Sequence, residues 1–125
     1  MARVFLDANI FIDLAENRGK ISTDDLDNHD LFVSALLPHI LMYITKRKVP
    51  FEKLSSLIID SFTIVSFDHS ICYKALDGPT SDFEDNVQLH SAAEAECGLF
   101  LTNDKRLLGL KFFGKTQIIQ NPTGF

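Results

Sequence analysis

Apolar residues in this chain fall into short unbroken runs, separated by stretches in which they recur every three or four positions. Val4-Phe5-Leu6 is the first run and stops at Asp7, a pattern that predicts a short buried strand. From about Asn9 to Glu16, Ile10, Asp13 and Leu14 sit at helical spacing, and Gly19 closes the segment. Residues 20–30, KISTDDLDNHD, are polar and acidic and predict a loop with at most one helical turn. Leu31 to Ser34 predicts a second strand. From Ala35 to about Lys48, Leu36, Leu37, Ile40, Leu41 and Ile44 mark an amphipathic helix. Pro38 is tolerated in its first turn, and Lys46, Arg47 and Lys48 suit its C-terminal end. Beyond Pro50 a further helix spans about 51–60, with Phe51, Leu54, Leu57 and Ile58 on one side.

Phe62 to Val65 is aromatic and β-branched and predicts a third strand. A helix from Asp68 to about Leu76 is ended by Asp77-Gly78-Pro79. Ser81 with Glu84, and Asp82 with Asp85, both have the spacing of a helix cap and its third residue. The helix they open runs to about Glu96 and stops at Gly98. Leu99 to Thr102 and Gln117 to Ile119 predict strands four and five. Strands alternating with helices throughout argue an α/β domain with a mainly parallel sheet of about five strands.

Length agrees with one domain over residues 1–125, because domains commonly run to about 100–150 residues. With 46% apolar and 23% charged residues, the composition excludes disorder, collagen-like sequence and coiled coil. No run approaches the roughly 20 apolar residues of a membrane span, and the N-terminus lacks a signal-peptide pattern, so the expected location is cytoplasmic. Cys72 and Cys97 have no metal-ligand spacing and are expected to be reduced, buried thiols. The net charge of −5 is wrong for nucleic-acid binding by electrostatics alone, unless a cation offsets the acids.

In an open α/β sheet, sites form outside the carboxyl ends of the strands. Asp7 and Asn9 follow strand one, Ser34 ends strand two, Thr102, Asn103 and Asp104 follow strand four, and Asp82 and Asp85 open the preceding helix. Carboxylates so gathered repel one another unless a cation sits among them, and hard oxygen donors suit Mg²⁺ or Mn²⁺. Each residue also has a plainer role. Asp82 serves as a helix cap, Asp85 in a first turn favours the macrodipole, Asp104 opens a helix, and Asn9 and Thr102 are turn and strand residues. Asp7 is the hardest to explain so, because a carboxylate at a buried strand end needs a partner. Asp13 and Glu16 are expected on an exposed helix face, and Asp24, Asp25, Asp27 and Asp30 in a solvated loop.

The chain resembles PIN-domain ribonucleases, the fold of the toxin half of many VapC-type toxin–antitoxin pairs. The matching pieces are FLDANIFID at 5–13, FVSALLPHILMYI at 32–44, SDFEDNVQLHSAAEAECGLFLTND at 81–104 and TQIIQNPTGF at 116–125. The first and third are the specific ones. The resemblance implies a three-layer α/β/α sandwich and Mg²⁺- or Mn²⁺-dependent cleavage of single-stranded RNA. Asp7, Asp85 and Asp104 match the metal-binding acids. Asn9 matches a residue that steadies the first Asp, Thr102 the hydroxyl before the last acid, and Asp82 a less critical carboxylate. An antitoxin protein and a homodimer are the implied partners. His39 stands where most members carry Glu, although a PIN-like subgroup shares this S-A-L-x-x-H stretch. Its expected roles are a hydrogen bond to a neighbour or, less readily, a metal contact; losing a carboxylate there implies weak Mg²⁺ binding and a preference for Mn²⁺. The segment between Asp7 and Ser34 is short for the family.

Lys105 and Arg106, with Arg18 and Lys20, are candidate RNA-binding cations at the rim, or else ordinary surface charges. A non-cutting PIN-like module that binds RNA or a protein is the alternative function. An aspartate-nucleophile phosphohydrolase wants D-x-D after strand one, where this chain has D-A-N. A receiver domain needs an acceptor Asp after strand three and a Lys after the last strand, and neither is evident.

Overall fold

The computed structural model describes residues 2–121. In chain order the elements are β1 (Arg3–Leu6), α1 (Ala8–Ala15), α2 (Thr23–Leu26), β2 (Asp30–Ser34), α3 (Leu37–Thr45), α4 (Glu52–Ser61), β3 (Thr63–Val65), α5 (His69–Asp77), α6 (Phe83–Glu94), β4 (Leu99–Leu101), α7 (Lys105–Leu110), β5 (Phe112–Phe113) and β6 (Thr116–Ile119). The sheet order is β3-β2-β1-β4-β6-β5, parallel except for the β5–β6 pair. The architecture is the expected PIN-like α/β/α sandwich.

Alternation inside the apolar runs builds the layers. Val4, Leu6, Val33, Leu99 and Leu101 face one side of the sheet, where α1, α3 and α4 add Phe11, Leu37, Leu41, Leu54 and Ile58. Phe5, Phe32, Phe100 and Ile118 face the other, against Leu89 and Ala92 of α6 and Leu107 of α7. Phe5 and Phe100 are paired in register and their rings stack with centroids 5.5 Å apart. Such offset aromatic pairs add about 1 kcal/mol beyond the area they bury.

Several boundaries differ from the sequence reading, each for a local reason. The long second helix starts only at Leu37, because the Ser34 hydroxyl accepts from the Leu36 amide (3.0 Å) and holds a turn after β2. It stops early, since Lys46 adopts a left-handed conformation. Of the two possible caps on α6, Asp82 is the one used: its carboxylate accepts from the Asp85 amide at 3.0 Å. The acidic segment holds one helical turn, α2, closed by a reciprocal Ser22–Asp25 capping box that turns Leu26 into the core. The sixth strand is β5, joined to β6 by the tight Gly114-Lys115 turn, where Gly114 supplies a positive φ. Cys97 is buried, and burial pushes its thiol up to about 12; Cys72 is only half-buried, contrary to expectation, as it lies on the outward side of α5. No helix among the described residues is long and apolar enough to cross a membrane.

Candidate functional site

Strand order reverses between β1 and β4, which run side by side while their connections leave in opposite directions. A crevice opens at the carboxyl ends of such a pair, where helices diverge from the sheet. Asp7 follows β1 there, and Thr102, Asn103 and Asp104 follow β4.

Asp7 is buried, with 6% of its surface exposed. Its side chain does not cap α1; it accepts a 2.7 Å hydrogen bond from the Thr102 hydroxyl instead. The same Thr102 oxygen accepts from the Asp104 amide at 3.0 Å. One hydroxyl therefore positions two acids. Asp104 in turn caps α7, its Oδ1 accepting from the amides of Arg106 and Leu107. From the far side, Asp82 holds the first turn of α6 and so fixes where Asp85 stands. The Arg106 guanidinium lies between the two remaining acids, 3.7 Å from Asp85 and 3.5 Å from Asp104. A continuous polar chain thus runs from Asp82 through Asp85, Arg106, Asp104 and Thr102 to Asp7.

The electrostatics follow from that crowding. Burial raises the pKa of Asp7; the Thr102 hydroxyl and the Ala8 amide oppose the rise, while the charges of Asp104 and Asp82 add to it. Asp85 is pushed up to about 6, first by burial and then by repulsion from Asp82, Asp7 and Asp104, with Arg106 pulling the other way. Asp104 loses some hydration, which alone would raise it, but the Arg106 and Leu107 amides and the Arg106 side chain hold it below the usual carboxylate range. Asp85 feels the charges of Asp7 and Asp104, and Asp7 feels that of Asp104, so the three belong to one electrostatic site. Their chemistry, hard oxygens in mutual repulsion, fits a divalent cation. As the side chains stand, no three Asp, Glu, His or Cys groups among the described residues are gathered as a ready metal cage, because Asp85 and Asp104 both face Arg106.

The other candidates are placed less centrally. Asn9 is exposed in the first turn of α1 and makes no hydrogen bond among the described residues. His39 is exposed in the first turn of α3, and its side chain makes no hydrogen bond among the described residues, so the expected bond to a neighbour is absent. Lys105 is exposed on α7, whereas Arg106 folds back onto the acids.

Asn86 was not anticipated. Buried one residue beyond Asp85, it donates to the carbonyls of Ala75 (2.8 Å) and Thr80 (2.9 Å) and accepts from the Thr80 amide (2.9 Å) and hydroxyl (2.6 Å). It ties the loop between α5 and α6 to the acid-bearing turn. The available signal was an Asn inside a helix, where its side chain usually competes with the backbone.

No family model and no curated protein matches the chain. Its fold is similar to a chain in the crystal structure of VapBC2 from Rickettsia felis bound to a DNA fragment from their promoter, with a TM-score of 0.67, 15% sequence identity, and coverage of 95% of this chain and 98% of that one.

Proposed function

We propose that this chain is an endoribonuclease that cleaves single-stranded RNA with Mg²⁺ or Mn²⁺, and that it acts in the cytoplasm as the toxin of a toxin–antitoxin pair. The observation that carries this reading is that Asp85, pushed up to about 6 by burial, also feels the charges of Asp7 and Asp104 across the β1–β4 crevice. Such a set favours a bound cation. Asp7, Asp85 and Asp104 would hold it, and when bound it would activate a water and stabilise the leaving oxygen of the phosphodiester.

The chain's own residues prepare that site. Thr102 orients Asp7 and anchors the Asp104 backbone. Asp82 sets the turn that carries Asp85. Arg106 balances Asp85 and Asp104, and with Lys105 it offers positive charge to an incoming phosphate. Asn9 and His39 are proposed to support the site from the first turns of α1 and α3. The fold likeness to a chain of a toxin–antitoxin complex supports the toxin role and an antitoxin partner, and a homodimer is proposed on the family resemblance.

A second reading is a PIN-like module that binds RNA or a protein without cutting. Two observations favour it: Arg106 already neutralises two of the acids, and His39 replaces the carboxylate that the resemblance leads one to expect. Incubating labelled single-stranded RNA with the protein in Mn²⁺, Mg²⁺ or EDTA separates the two. Cleavage that needs the ion and is lost in Asp7→Asn supports the nuclease; binding without cleavage in every condition supports the module.

A further inference from the structure

Beside the acid site lies a cavity of about 610 Å³, within the usual size range of ligand pockets. It is walled by α1, the loop leading to α2, and the segments that follow β4 and β6. Asn103, on its wall, sits in sequence between Thr102 and Asp104, so the cavity opens at the same carboxyl edge as the acids.

Its chemistry is selective. Ile10 and Ile21 supply an apolar surface. Asp13 and Arg18 pair across 3.6 Å, and the Asp25 carboxylate is engaged by the Ser22 amide. With Lys20 the four charges on the lining cancel, which is a poor recipe for capturing a bare phosphate. The opposite wall holds three amides, Asn103, Gln120 and Asn121, and Gln120 Nε2 donates to Asn103 Oδ1 at 3.2 Å. That bond uses neither Gln120 Oε1, an acceptor, nor Asn103 Nδ2, a donor. An amide acceptor and an amide donor on one wall match the mixed acceptors and donors along the edge of a nucleobase.

We infer that this cavity is a nucleobase subsite, which receives one unstacked base of a single-stranded RNA whose neighbouring phosphate reaches the acids. The inference rests on the nuclease reading for its choice of strand, but the subsite binds through groups that the cleavage chemistry does not use. Single-stranded RNA is commonly read in this manner, by splayed bases packed on side chains and hydrogen-bonded along their edges. Lys20, which makes no ion pair among the described residues, stands at the rim for the adjoining backbone phosphate.

The test uses the whole protein in EDTA, so that nothing is cut. A short single-stranded RNA and an abasic ribose-phosphate chain of equal length are titrated while the side-chain amide signals of Asn103 and Gln120 are followed by NMR. The RNA should move both signals and the abasic chain neither, and Gln120→Ala should weaken RNA binding by about fivefold or more without changing its salt dependence. Equal shifts with both chains would make the cavity a phosphate trough and overturn the subsite. So would RNA binding that leaves the amides and the Gln120→Ala affinity untouched, or no RNA binding at all. Ion-dependent cleavage is scored separately: cleavage with unmoved amides removes only the subsite, and base-dependent shifts without cleavage remove only the nuclease.

Discussion

The Thr102 hydroxyl donates a 2.7 Å hydrogen bond to the Asp7 carboxylate, joining the ends of two adjacent parallel strands whose residues lie 95 positions apart. Both groups are buried, so water is a poor substitute for either partner. A hydrogen bond to a charged group contributes about 1.5–3 kcal/mol. Thr102→Val should lower stability at pH 7 by about that amount and raise the pKa of Asp7 further. Urea unfolding together with a carboxyl-carbon NMR titration checks both; a change under about 0.5 kcal/mol would mean that the hydroxyl does not support the acid.

Asp85 gives the protein an unusual response to pH. Its folded pKa, about 6, lies above the ordinary carboxylate value of 3.8, so the folded state holds a proton that the unfolded chain releases. Stability therefore falls as pH rises from about 4 through 6, by at most about 3 kcal/mol from this group. Asp7 acts in the same direction. Asp104, with its depressed pKa, acts oppositely, stabilising above about 4 and losing that contribution at lower pH. Asp85→Asn should flatten the decline between pH 4 and 6 and leave the ion-free protein as stable as wild type, or more so, at pH 7, while abolishing the proposed cleavage. A variant that retains the full decline would place its origin elsewhere.

Arg106 can be an internal counter-ion, an RNA contact, or both, and two measurements separate these roles. Its side chain is 71% exposed, so its ion pairs contribute at most about 1 kcal/mol to stability. Arg106→Gln should therefore unfold almost as wild type does. It should nevertheless raise the Asp85 pKa above its present value of about 6 and tighten Mn²⁺ binding severalfold by calorimetry, because a competing positive charge has gone. Lys105→Ala should do neither and should reduce only the salt dependence of RNA binding. Unchanged Mn²⁺ affinity in Arg106→Gln would show that the guanidinium and the ion do not compete.

Asn86 and Gln88, two positions apart on α6, should respond in opposite directions. Asn86→Ala strands the Ala75 and Thr80 backbone groups that its amide satisfies, and it should destabilise by about 2–4 kcal/mol. Gln88 is equally buried, yet neither polar atom of its amide has a partner among the described residues. Gln88→Met should be neutral or stabilise by about 1 kcal/mol. Denaturation of the two variants side by side is the check, and a large loss in Gln88→Met would reveal a buried water bonded to that amide.

The five parallel strands were legible in the amino-acid order because they depend on short-range chemistry, whereas the short β5 was not. Val4-Phe5-Leu6 and Leu99-Phe100-Leu101 are apolar on both faces, so each must be buried between two layers. Alternation with amphipathic helices then leaves a parallel sheet as the natural arrangement. Asp7 was legible for the same reason, because a carboxylate directly after a buried strand has to lie at the sheet edge. Only the tertiary structure decided what the acids touch. That Asp7 takes its hydrogen bond from Thr102, that Arg106 turns inward while Lys105 does not, and that His39 faces solvent all depend on the strand order and on the angle at which each helix leaves the sheet. The cavity beside the acids is of the same kind, because its walls come from segments far apart in the chain whose approach no local pattern encodes. Local sequence chooses each element through propensity and burial, but contacts between elements far apart in the chain are settled by packing the whole core at once.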